Sequence, residues 1–121
     1  MPHLTLECSA GIAGFDAGGA LEALNTAMLT SGLFGEADIK SRAVEFPVFQ
    51  VGTGNGERHF LHVRARLLSG RTPEQKKALA AALLAALRSA CPLPAVGEIQ
   101  LSVETVDMDR GTYAKAVLHG G

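Results

Sequence analysis

The chain runs through the same succession of patterns twice, and that repetition constrains its fold more than any other feature. Pro2-His3-Leu4-Thr5-Leu6-Glu7 alternates apolar and polar residues, the period of a half-buried strand. From about Ala20, the residues Leu21, Leu24 and Met28 take the spacing of one helix face, closed by Ser31-Gly32. Residues 39–51 then read as a strand, with Pro47 placing it at an edge or a bulge. The second round opens at 60–68, where Leu61, Val63, Ala65 and Leu67 share one face and His62, Arg64 and Arg66 the other. Thr72-Pro73-Glu74-Gln75 is a capping box with proline at the first helical position, and an Ala-rich helix follows to Ala90. Cys91-Pro92-Leu93-Pro94 stops that helix, and 98–104 reads as the last strand, with Ile99, Leu101 and Val103 inward. Pro2 and Leu61 lie 59 residues apart, and Ile39 and Ile99 lie 60 apart, as an internal duplication requires.

Right-handed crossovers make the two strands of each β-α-β unit parallel, and the turn at 52–56 makes the halves meet antiparallel. Asn55-Gly56 within that turn is a hairpin signal. The expected architecture is an α/β (α+β) fold: tandem β-α-β units forming a four-stranded mixed sheet with two helices on one face. It is read as one domain over 1–121, with pseudo-repeats at about 2–51 and 59–113. The glycine-rich stretch 11–19 is expected to lie outside any helix, and 108–121 has no clear pattern. The uncovered sheet face is expected to be apolar enough to require an oligomer.

Composition removes several function classes. Eleven Lys plus Arg stand against 12 Asp plus Glu, giving a formal charge of −1 and no basic stripe for a nucleic acid. No apolar run approaches the length of a membrane span, and the opening residues lack a signal-peptide layout. Two cysteines, Cys8 and Cys91, make neither a disulfide framework nor a metal spacing. The expectation is a cytoplasmic chain with no metal site, no nucleic-acid partner and no membrane partner.

The candidates for chemistry are few. An initiator methionine is normally removed before proline, which would expose the secondary amine of Pro2. Such an amine serves as a base when burial and nearby cations bring its pKa toward neutrality. A proline in second place can equally do no more than protect a terminus. Lys40 and Arg42 are two apart on a strand and share a face, and Arg71 lies where a strand meets a helix N-terminus. Three cations at strand ends suit a small carboxylate, or they are solvated surface charges.

The segment Leu68-Ser69-Gly70-Arg71-Thr72-Pro73-Glu74-Gln75-Lys76 resembles the opening of the 4-oxalocrotonate tautomerase unit. The start Pro2-His3-Leu4-Thr5-Leu6-Glu7-Cys8-Ser9 and the later Ile39-Lys40-Ser41-Arg42 resemble the 5-carboxymethyl-2-hydroxymuconate Δ-isomerase branch, whose chains carry two fused units. That resemblance implies a homotrimer, no cofactor, and Pro2 and Arg71 as catalytic residues. Lys40 stands where the branch usually has arginine, Arg42 keeps the other strand cation, and Tyr113 matches an aromatic that shapes the pocket. Leu61 takes the proline position of the second unit and Ile12 the arginine position of the first, which implies one complete site per chain. The implied activity is isomerisation of unsaturated hydroxy di- or tricarboxylic acids. The substrate expected is 5-carboxymethyl-2-hydroxymuconate, in homoprotocatechuate catabolism. The rival is a catalytically silent trimer that binds an anion or a partner on the same scaffold.

Overall fold

Strand alternation and helix periodicity place one set of apolar residues between sheet and helices. In the computed structural model, which describes residues 1–121, Leu4 and Leu6 of β1 (His3–Ser9) are fully buried. So are Leu61, Val63, Ala65 and Leu67 of β3 (Arg58–Leu68). They pack under Ala20, Leu24 and Met28 of α1 (Ala17–Thr30) and Leu79, Leu83 and Leu87 of α2 (Pro73–Ala90). The edge strands are β2 (Lys40–Phe46) and β4 (Glu98–Met108), in the order β2-β1-β3-β4. Each edge is parallel to its inner neighbour, and β1 and β3 are antiparallel. This is the expected pair of β-α-β units with both helices on one side.

Several details differ from the sequence reading. The 52–56 turn is no hairpin, because β2 and β3 are not neighbours; β1 lies between them, and the halves meet through β1 and β3. Strand β2 ends at Phe46, immediately before Pro47, whose missing N–H ends the ladder instead of bulging it. Helix α1 starts at Ala17 and takes Gly18 and Gly19 into its first turn, and β4 runs on to Met108. Gly97, at φ +77°, lets the β4 entry press against β3, where Glu98 N–H donates to the Glu57 carbonyl at 3.0 Å.

The uncovered face is not the apolar surface that was expected. Register partners share a face, so His3, Thr5 and Glu7 lie beside His62, Arg64 and Arg66, with Ser102 and Glu104 next in line. Alternation sends nearly every apolar residue of the two central strands under the helices, leaving a face whose middle is charged and whose other positions include Val44, Phe46, Phe60, Leu68, Val106 and Met108. There Glu104 pairs with both His62 and Arg64, and Ser102 bonds to the other nitrogen of His62 at 2.7 Å.

Candidate functional site

Several separate segments of the folded chain return to the start of β1. Pro2 is buried, and its carbonyl accepts from Lys40 N–H at 3.2 Å, the bond that fixes β2 beside β1. The 3-10 turn Glu36–Asp38 leads into β2, and the Asp38 carbonyl accepts from Lys40 Nζ at 2.9 Å. Gly70, at φ +122°, turns the chain from β3 toward α2, and Arg71 follows it. Thr72 then caps α2, its hydroxyl accepting from Gln75 N–H while the Gln75 side chain accepts from Thr72 N–H. The Arg71 guanidinium donates to the Leu68 and Leu33 carbonyls, each at 3.1 Å, and lies 5.1 Å from the centre of the Phe34 ring. A guanidinium has five N–H groups, so further donors remain for an anion.

Electrostatics tie this group to the chain terminus. Burial is the main cause that lowers the pKa of the terminal amine, here that of Met1. The charges of Arg71, Lys40 and Lys115 lower it further, while Asp38 opposes them. Lys40 is thus tied to Pro2 through its backbone N–H, and the Arg71 charge acts on the amine of the residue before Pro2.

Arg42 and Tyr113 gather around His3, the register partner of Lys40. Arg42 Nη2 donates to His3 Nδ1 at 2.8 Å, and His3 Nε2 lies 3.0 Å from the Tyr113 hydroxyl. Because Arg42 has no proton acceptor to offer, Nδ1 must carry the lone pair, which leaves a neutral ring protonated on Nε2. Burial and then the Arg42 charge hold His3 below the ordinary histidine range, which agrees. Thus the five candidates form two neighbouring clusters, joined through the Pro2-His3 peptide and through Lys40, which pairs with His3 and shares its face with Arg42.

Sequence reading missed His3, Phe34, Asp38 and Lys115. Asp38 was findable, lying two residues before Lys40, but Lys115 sits in the tail without a pattern. Its Nζ reaches Asp38 Oδ1 at 2.9 Å and Met1 Sδ at 3.0 Å. At the corresponding place in the second unit, Leu61 is in the core and Ile12 is half-buried. Ile12 lines a hollow of about 410 Å³ with Glu57, His59 and the 92–96 loop, and no lysine or arginine lines it. No cavity of the single chain is lined by Pro2, Lys40, Arg42, Arg71 or Tyr113.

Comparison with known proteins bears on the family and the fold. A sequence model of the 5-carboxymethyl-2-hydroxymuconate isomerase family matches residues 2–120. A 5-carboxymethyl-2-hydroxymuconate isomerase from Deinococcus radiodurans R1 superposes with a TM-score of 0.82 at 26% identity, over 95% of this chain and 88% of that one. A 5-carboxymethyl-2-hydroxymuconate Δ-isomerase gives 0.74 at 17% identity, over 99% and 89% of the two chains. A fused 4-OT described as a symmetric trimer gives 0.73 at 22%, over 94% and 91%. Comparison with curated protein sequences finds no match. A family match across almost every residue, on a fold shared with the tautomerases, makes this chain a member of the 5-carboxymethyl-2-hydroxymuconate isomerase family and an isomerase.

Proposed function

We propose that the chain is a cofactor-independent tautomerase of unsaturated hydroxy di- and tricarboxylic acids, with 5-carboxymethyl-2-hydroxymuconate as its substrate in the breakdown of homoprotocatechuate. Its catalytic base is the Pro2 amine, freed when Met1 is removed. That nitrogen takes the proton of the dienol hydroxyl and returns a proton to a carbon further along the conjugated system. Arg71 and Lys40 hold carboxylates and stabilise the dienolate charge as it grows, an electrostatic contribution made in the transition state. Arg42 binds a second carboxylate, and Tyr113 forms a wall of the site. The whole chain, 1–121, works as one cytoplasmic domain in a homotrimer, and a neighbouring copy encloses the site. Two fused 4-OT structures described as symmetric trimers on this fold support that assembly.

The observation that carries this reading is the bond from Lys40 N–H to the Pro2 carbonyl, beside a Met1 amine whose charged form burial, Arg71 and Lys40 disfavour. The experiment compares Met1-free and Met1-retaining protein, each verified by mass, in isomerisation of 5-carboxymethyl-2-hydroxymuconate. Turnover is expected only from the Met1-free form, because an acylated proline nitrogen is an amide and not a base. Equal turnover from both would remove Pro2 from the mechanism. No turnover from either would favour the silent anion-binding trimer.

A further inference from the structure

The tail after Arg110–Thr112 has no regular structure and is largely exposed, yet two of its side chains return to the start of β1. Tyr113 bonds to His3, and three residues of tail bring Lys115 across to the other cluster. Its ammonium is paired with Asp38, the residue whose backbone carbonyl also holds the Lys40 ammonium. Lys40 and Lys115 are thus two cations gathered by one aspartate, one through its main chain and one through its carboxylate.

The same ammonium contacts the thioether of Met1, so it faces the space that Met1 occupies beside Pro2. A thioether is a poor partner for an ammonium, and its departure with Met1 would leave one side of Lys115 without protein contact there. We propose that Lys115 is a substrate-binding residue of the Pro2 site, taking one carboxylate of the substrate while Asp38 positions it. The reasoning rests on the assignment of Pro2, Lys40 and Arg71 to that site. It adds that the site has a cation supplied by the C-terminal tail, whose role is to favour acids with a second carboxylate.

The chemistry of lysine fits such a role. An ammonium is a point charge with three donors on a flexible stem, so it can keep Asp38 and accept a second anion. Asp38 holds Lys115 when the site is empty and prevents the stem from drifting into solvent. Its own carboxyl lies below the ordinary range because Lys115 donates to it. The charges that act on Asp38 are those of Lys115, the terminal amine and Lys40.

The test uses two unreactive probes on Met1-free protein: cis,cis-muconate, a conjugated dicarboxylate, and sorbate, a diene of the same length with one carboxylate. Calorimetry is expected to show that Lys115→Ala reduces the preference for muconate over sorbate about tenfold, since one charge-assisted pair is lost. Lys115→Arg should restore most of it. A merely structural lysine would weaken both probes alike and leave their ratio unchanged, and that result overturns the proposal. Absence of muconate binding to the wild-type protein overturns it as well. Failure of the tautomerase reading is separate: it would appear as muconate selectivity that depends on Lys115 in a protein without turnover.

Discussion

Arg71 has two tasks, and its replacement should reveal both. The guanidinium ties the Leu68 and Leu33 carbonyls together and, in the proposed mechanism, holds a carboxylate. Arg71→Ala is expected to lower kcat/KM by roughly 10- to 100-fold, the equivalent of about 1.5–3 kcal/mol for a charged hydrogen bond, in steady-state kinetics. Lys40→Arg should leave kcat/KM unchanged or raise it, because a guanidinium can grip a carboxylate with two parallel bonds. His3 supplies a pH test. Its pKa lies below the ordinary value, so acid protonates it more readily in the unfolded chain. Its contribution to stability is complete above about pH 6.5 and is lost as the pH falls from there toward the folded value. His3→Gln should therefore reduce the loss of stability between about pH 7 and about pH 5.5, measured by denaturant unfolding. An unchanged loss would mean that folding and His3 protonation are not linked. At this scale the positions of Pro2, Lys40 and Arg71 beside strand and helix ends were legible, because strand period and strand-helix junctions place residues by counting. Asp38 and Lys115 were not, since their meeting depends on where an irregular tail is laid down.

Among the elements, the second β-α-β unit was easier to read than the first. Thr72 to Gln75 states its own local structure, and the folded chain contains both bonds of that box. Thr72→Ala should cost about 1 kcal/mol by thermal or denaturant unfolding. Helix α1 has no such signal: Asp16 precedes it without a side-chain cap bond, and glycines fill its first turn. Its start was therefore placed late. The hairpin expected at 52–56 failed for a different reason. Asn-Gly reports local turn chemistry, whereas strand order is decided by β1 claiming the place beside β3. Gly97 is the most exacting element boundary, since a Cβ there would lie 1.8 Å from the Glu57 carbonyl oxygen. Gly97→Ala combines that clash with a strained φ and should cost about 2–4 kcal/mol in the same measurement. A loss much smaller than this would mean the β4 entry can shift away from β3.

For the molecule as a whole, the fold class followed from repetition, but the reason given for assembly did not survive. The middle of the open face is charged, so burial of a continuous apolar sheet surface is not what draws copies together. The homotrimer proposed here would instead enclose charged side chains, and its stability should then respond to salt more than that of an apolar interface. Light scattering is expected to give a trimer at micromolar concentration, with dissociation at lower concentrations in high salt. A monomer in both conditions would leave the site without a second wall. The return of the tail to β1 has another consequence, one of timing. Tyr113 and Lys115 are made 110 and 114 residues after the His3 and Met1 that they lie over in the folded chain. Removal of Met1 therefore competes with completion of the fold: an aminopeptidase has access while the tail is still being made, and loses it when the tail settles. Protein synthesised faster than it is trimmed would become trapped with its amine blocked, and unfolding it in the presence of the peptidase would be the way to release it.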